Sequence, residues 1–277
     1  MKNLLILITL FLTFNLLAQS TEQITERKIK ASLDEAADIV NVLTSAAEIE
    51  VSGTITDSTR QDFYRLIKEI KSQKNTIKLN LKYISGLGKI EKKTFEKCSN
   101  LQEITLPYDI TYIGYRAFAD CSTLSNIIIP DKVTSIGYQA FSGCTKLTGV
   151  TIGHETTNIE ESAFSGCENV ETLIIGNKIT SLKNLPITSA LKSITIGSNV
   201  QSIDNNTFAK CKNLTSVKFI NTKEWYIRDN SNSTDKVKIE EYSLSGNAVN
   251  LIKDYCTKYW YTNSNYYNNN MNKSMRW

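Results

Sequence analysis

The sequence predicts an α/β solenoid: stacked coils with one short strand each, an αβ cap at the N-terminal end and a small cap at the C-terminal end. Three observations predict it. A 23-residue unit recurs from Leu101 onward. Inside each unit apolar and polar residues alternate over a few positions, the period-two pattern of a strand. No single unit carries enough apolar side chains to fold alone, so neighbouring units must share their faces.

The repeat reads LQEITLPYDITYIGYRAFADCST from Leu101, LSNIIIPDKVTSIGYQAFSGCTK from Leu124 and LTGVTIGHETTNIEESAFSGCEN from Leu147. The unit from Val170 is two residues shorter, the full form returns at Leu191, and a partial unit starts at Leu214. A weaker unit, LGKIEKKTFEKCSN, ends at Asn100. Six coils are therefore expected. The first column holds Leu101, Leu124, Leu147, Val170, Leu191 and Leu214. The fourth holds Ile104, Ile127, Val150, Leu173, Ile194 and Val217, and the sixth Leu106, Ile129, Ile152, Ile175, Ile196 and Phe219. The thirteenth holds Ile113, Ile136, Ile159, Leu182 and Ile203. A later column holds Phe95, Phe118, Phe141, Phe164 and Phe208, with Ile187 in the short unit. The inward side chains of one coil supply roughly 10–20 kcal/mol gross. Ordering its residues costs about 35 kcal/mol.

Cys98, Cys121, Cys144, Cys167 and Cys211 recur beside the Phe column, and Ala190 takes the place in the short unit. Because Ala substitutes there, these positions read as small buried hydrophobes carrying free thiols. Disulfides between ladder neighbours are the alternative, since adjacent coils fall within bridging distance. Neither a CxxC motif nor a His pair is present, so no metal site is expected.

The ends are read from periodicity. Residues 1–18 combine Lys2 with an almost wholly apolar run from Leu4 to Leu17, which predicts a secretory signal peptide ending near Ala18. The mature chain has no further apolar run long enough to span a membrane. Residues 19–78 predict the N-terminal cap. One helix carries Leu33, Ala36, Ala37, Val40 and Leu43, with Ser32 and Glu35 in capping-box form. A strand follows at 48–56, then a second helix starting at Ser58 and Gln61 and carrying Phe63, Leu66, Ile67 and Ile70, then a strand at 76–84. Residues 79–220 are the repeats and 221–261 the C-terminal cap, with paired strands in KEWYIRD and KVKIEEYS and a helix from Ala248 to Tyr261. The Asn- and Tyr-rich residues 262–277 predict a disordered tail.

The motif LxxIxLPxxVTxIGxxAFxxCxx, nearly whole at 101–146, resembles the BspA-like leucine-rich-repeat family. The resemblance covers about 85–220, and the run LIKDYCTKYWY is similar to the tail of some members. It implies a leucine-rich-repeat solenoid in a bacterial surface or secreted protein, whose relatives bind extracellular-matrix or plasma proteins, engage host receptors or mediate coaggregation. The chain departs from the pattern at 176–190, where Phe and Cys are replaced.

Composition narrows the function classes. The net charge is +4 with 32 basic and 28 acidic residues, and no block of five Lys or Arg occurs, which gives nucleic-acid binding little support. The single histidine, His154, falls in a turn column shared with Tyr108 and Asp131, so it reads as a solvated turn residue without nucleophile or orienting acid. Asp109, Asp131, Glu160 and Glu161 lie on turns and do not form the convergent pair a glycan hydrolase needs. No phosphate-cradling Gly loop appears. The chain is therefore expected not to be an enzyme and to need no cofactor.

Binding is expected on the outward strand positions Glu103, Thr105, Asn126, Ile128, Thr151, Thr172, Ile174, Ser193, Thr195, Ser216 and Lys218. Thr and Ile are also simply good strand residues, so the same column is open to a structural reading. Tyr112, Tyr115 and Tyr138 on an adjacent edge read either as interface anchors or as side chains packed on the next coil. The functional expectation is a secreted or cell-surface protein-binding and adhesion module for an extracellular or host protein. The alternatives are a cell-envelope scaffold binding a bacterial partner and, more remotely, a glycan hydrolase.

Overall fold

The computed structural model describes residues 27–41, 43–204, 206–220, 225–228, 237–239 and 259–262. The stretch expected to be a signal peptide, most of the helix expected over 248–261 and nearly all of the expected tail lie outside the described residues.

A nine-stranded sheet runs the length of the molecule in the order β1-β2-β3-β5-β7-β9-β11-β12-β14, all of its pairs parallel. Its first three strands are β1 (Arg27–Ser32), β2 (Ala47–Thr54) and β3 (Ile77–Ser85). The other six are one per coil: β5 (Leu101–Thr105), β7 (Asn126–Ile128), β9 (Gly149–Thr151), β11 (Thr172–Ile174), β12 (Ser193–Ile196) and β14 (Ser216–Phe219). Parallel neighbours require a crossover, and every coil supplies one. Between β1, β2 and β3 the crossovers are helices, α1 (Leu33–Asn41) and α2 (Arg60–Ser72). Between the repeat strands they are tight turns.

The helices form where the apolar spacing placed them. Leu33, Ala36, Ala37 and Val40 of α1 and Phe63, Leu66, Ile67 and Ile70 of α2 are all buried. At the start of α1 the Glu35 carboxylate accepts from the Ser32 backbone N–H at 3.4 Å and from its hydroxyl at 2.6 Å, the returning half of a capping box. The expected Ser58–Gln61 start of α2 is replaced. Thr59 precedes the helix without capping it, and its hydroxyl instead donates to the Thr54 carbonyl at 2.7 Å and accepts from the Thr56 N–H at 2.9 Å. A hydroxyl occupied by the preceding turn is not free to cap.

A second, four-stranded parallel sheet joins β4 (Lys89–Ile90), β6 (Tyr112–Ile113), β8 (Ser135–Ile136) and β10 (Asn158–Ile159). Between the two sheets lie the repeat columns, buried throughout: Leu101, Leu124 and Leu147, Ile127 and Val150, Ile113 and Ile136. Phe95, Phe118, Phe141 and Phe164 stack in parallel with centroids 4.9, 5.1 and 5.1 Å apart, in register with the coil spacing. The stack begins on α2, where Phe63 meets Phe95 edge-on at 6.4 Å.

The tight turns pass through left-handed backbone at two columns: Lys97, Asp120, Gly143 and Gly166, and, four residues earlier in each turn, the non-glycine residues Lys93, Arg116, Gln139 and Ser162, continued by Asn184 and Asn206. Non-glycine residues there cost about 1–2 kcal/mol each. The turn offsets that by handing its N–H groups to the next coil: Phe95 donates to Ala117, Phe118 to Ala140 and Phe141 to Ala163, each at 2.7 Å.

The short unit breaks this order. Ile187 and Ala190 fill the Phe and Cys places only half-buried. The second sheet ends at β10, and Ser181 makes only an isolated bridge to Ser202. The next short strand, β13 (Ser202–Ile203), pairs instead with β17 (Tyr259–Thr262) in an antiparallel sheet that also holds β15 (Trp225–Arg228) and β16 (Val237–Ile239). The pairing of β15 with β16 lies where the sequence placed two strands. Tyr259–Tyr261, expected at the end of a helix, are strand, and Thr262 of the expected tail belongs to the same strand. Adjacent aromatic residues favour extended backbone, and β13 and β15 both offer an edge to pair with.

Candidate functional site

The outer face of the nine-stranded sheet has two columns of side chains, and the register makes the first continuous. It runs Lys28, Glu48, Lys78, Glu103, Asn126, Gly149, Thr172, Ser193, Ser216, one residue per strand. The second starts Lys30, Glu50, Asn80, Thr105 and continues over later strands as Ile128, Thr151, Ile174, Thr195, Lys218. At a strand spacing of ~4.8 Å the face is roughly 38 Å long.

The face divides in two by charge. Over β1 to β5 it is an alternating ion-pair ladder. Lys28 Nζ lies 3.0 Å from Glu48 and 3.4 Å from Glu50, Lys30 lies 3.5 Å from Glu50, and Lys78 lies 3.0 Å from Glu103. Asn80 adds a hydrogen bond to Glu50 at 3.3 Å. Glu103, predicted as a binding residue, is thus held by its neighbour.

From β7 onward the face is neutral until Lys218. Asn126, Thr172 and Ser216 are exposed, and Thr151, Ser193 and Thr195 are half-exposed. Ile128 is 67% exposed and Ile174 40%, so two large apolar side chains stand out among small polar ones. At Gly149 an added Cβ would collide with the Asn126 Oδ1, which shows the amide leaning across the glycine. One residue upstream, a groove of about 590 Å³ is lined by Gln102, Ser125, Thr148 and Glu171 among others. Its hydroxyls are turned inward: Ser125 donates to the Gln102 carbonyl at 3.2 Å and Thr148 to the Ser125 carbonyl at 3.1 Å.

On the adjacent edge Tyr115 and Tyr138 stack at 6.0 Å while remaining about 40% exposed. They pack on one another, coil on coil, and still face solvent. Tyr112 is half-buried and does not join the stack.

The turn carboxylates tie coils together. Asp109 accepts from the Gly86 N–H at 2.9 Å, Asp131 from the His154 N–H at 3.1 Å and Glu160 from the Tyr138 N–H at 2.8 Å. His154 is exposed on its turn. Among the described residues no group of three His, Cys, Asp or Glu is placed to hold a metal ion.

Cys98, Cys121, Cys144, Cys167 and Cys211 are buried free thiols. Cys121, Cys144 and Cys167 donate to the carbonyls of Phe95, Phe118 and Phe141 at 3.1, 3.2 and 3.1 Å. Cys211 donates to Thr188 at 3.2 Å. Burial pushes Cys98 up to about 12 and Cys211 up to about 11, and raises Cys121 as well. Cys144 is raised first by its hydrogen bond with Cys167 and then by burial.

Among solved structures the chain is similar to a leucine-rich-repeat protein of T. pallidum, at 26% identity over 52% of this chain and 69% of that one, with a TM-score of 0.43. It is similar to the pneumococcal vaccine antigen PcpA at 18% identity, over 69% of this chain and 50% of that one, with a TM-score of 0.40. A leucine-rich-repeat protein of Bacteroides ovatus matches at 19% identity, over 72% and 70% of the two chains, with a TM-score of 0.36. No functionally curated protein matches the chain. The sequence profile of the BspA type leucine-rich repeat region matches in six copies, over residues 71–189 and 187–275. With strand, turn, Phe and Cys columns recurring as described, the chain belongs to the BspA-type leucine-rich-repeat family.

Proposed function

We propose that this protein is an exported binding module that docks an extracellular or host protein on the neutral half of its sheet face, from Asn126 to Ser216. The observation that carries this reading is the exposure of Ile128 and Ile174 in a strip with no ion pairs among the described residues of β7 to β11. Burying an exposed isoleucine contributes up to about 1.5–3 kcal/mol, and small Thr, Ser and Asn neighbours leave room for a partner while offering hydrogen bonds. The ladder over β1 to β5 has already spent its charges internally, so it contributes little affinity. Export is supported by the N-terminal sequence and by membership of a family often found at the surface or secreted. No described helix is long and apolar enough to cross a membrane.

The test is a binding screen of the purified chain against matrix and plasma glycoproteins, followed by the double substitution Ile128→Glu and Ile174→Glu. Both side chains are exposed, so folding should change by no more than about 0.5 kcal/mol. Affinity for the captured partner should fall about 30-fold, the effect of losing an interface anchor. An empty screen, or a double variant that binds as before, would remove the strip from consideration.

A further inference from the structure

The positive charge of this chain is unevenly placed. Positions 60–97 hold eleven Lys and Arg against four Asp and Glu, a surplus of seven, although the whole chain carries only +4. The fold gathers part of that surplus around a groove of about 550 Å³ between α2 and the first coil. Lys68 and Lys71 line it from the helix, Lys92 and Lys93 from the turn, and the exposed Tyr64 lines it as well.

The lysines are partly arranged by contacts that leave their charge in place. Lys71 Nζ donates to the Lys93 carbonyl at 3.3 Å, and the Lys93 ammonium lies 5.9 Å from the Tyr115 ring centroid. Lys93 is also 3.8 Å from Glu96, whose nearer partner is Arg116 at 2.5 Å. Glu91, the one carboxylate lining the groove, is paired with Lys89 at 3.2 Å. Neither Lys68 nor Lys92 has an ion pair among the described residues.

We propose that this groove binds a linear acidic polysaccharide, with sulfate or carboxylate groups lying between the Lys68 and Lys71 bank and the Lys92 and Lys93 bank. Like charges facing one another across a cleft repel, and its walls concentrate their field on whatever anion enters. The groove is of a size that takes a ligand segment rather than a flat surface. A sugar ring can lie on Tyr64 while its anionic substituents meet ammonium groups on both sides. A lipid surface fits less well, because membrane-binding helices present an apolar face to insert. In α2 that face, Phe63, Leu66, Ile67 and Ile70, is buried in the core. Single-stranded nucleic acid calls for successive aromatic platforms, and Tyr64 is the only aromatic residue lining the groove. This surface is distinct from the neutral strip, so either site can fail its test without the other.

The experiment titrates the full chain with a sulfated heparin oligosaccharide, neutral dextran, phosphatidylserine vesicles and oligo(dT). Heparin should bind, and its affinity should drop at least tenfold between about 50 and about 300 mM salt, as screening predicts. The triple variant Lys68→Gln, Lys71→Gln, Lys92→Gln should lose about tenfold or more, whereas Lys146→Gln, Lys210→Gln, Lys212→Gln should stay within about twofold. Heparin binding no tighter than dextran, tighter binding of vesicles or oligo(dT), or equal losses in the two triple variants would each overturn the proposal. Lysine acetylation footprinting of the unmutated chain gives a reading that does not depend on any variant folding. Heparin should shield Lys68 and Lys92 but not Lys146, and uniform shielding would also overturn it.

Discussion

A cysteine in this fold does two things that alanine cannot. It fills the space beside the Phe stack, and its thiol donates to the carbonyl of a phenylalanine in the coil before it, as Cys144 does to Phe118 at 3.2 Å. The ladder is protected from chemistry by the same burial. In native protein the five described thiols should be silent to a thiol reagent and react only after denaturation. Burial also ties stability to pH. Cys98 is raised to about 12, against roughly 8.5 for an unfolded thiol. A raised acid contributes stability that is whole below the unfolded value and lost as pH climbs toward the folded one. Each such thiol should cost up to about 1.4 kcal/mol per pH unit above ~8.5. Urea midpoints should therefore fall between pH ~8.5 and ~11, and fall less steeply for Cys98→Ala. Identical slopes for the two proteins would show that the thiols are not responsible.

At the scale of elements the weak place is the short unit from Val170. The Phe stack stops at Phe164 and the second sheet stops at β10, so 181–190 is fastened mainly by β11 and its neighbours in the large sheet. Local opening is favoured where packed contacts are few. Backbone amides over 181–190 should exchange hydrogen at least tenfold faster than those over 112–121, a difference of about 1.4 kcal/mol in opening free energy. Equal protection would mean that the break in the columns has no energetic weight. The elements also show what the sequence could disclose. The repeat strands were legible because the fourth and sixth columns alternate with polar residues, and the predicted face, Glu103 to Lys218, does lie along one side of one sheet. The second sheet was not legible, because its two-residue strands are too short to show alternation. The Lys28–Glu48–Lys78–Glu103 ladder was hidden by unequal spacing, since its members become neighbours only through the pairing register. The lysine groove was hidden for a similar reason: its two banks come from separate elements, and the whole-chain charge of +4 averages the surplus away. At 259–261, helical spacing misled, because it counts apolar positions and takes no account of the edges that β13 and β15 offer.

For the whole molecule the question is what closes the stack. β1 to β3 belong to the same sheet as the repeats, and α1 and α2 take the place that tight turns hold in later coils. Phe63 continues the aromatic column onto α2, and Asn100 donates to the Ile70 and Asn75 carbonyls at 3.1 and 3.2 Å. We propose that this segment is the N-terminal cap. Removing residues 1–85 would bare Phe95 and Leu101 and leave β5 as an open edge, which is an invitation to aggregate. The truncated chain should be insoluble, or lose cooperative unfolding, while the full chain unfolds sharply in urea. A soluble, sharply unfolding truncation would show that the coils close themselves.

The interrupted unit has a mechanical consequence for such a rod. Tension applied between its two ends is carried in parallel by both ladders of the early coils, but near Ser181 the load passes mainly to the large sheet, helped only by an isolated bridge and scattered hydrogen bonds. A pulled molecule would part there first. It would yield the C-terminal coils as one piece and keep the lysine groove and the isoleucine at 128 together on the piece that remains folded.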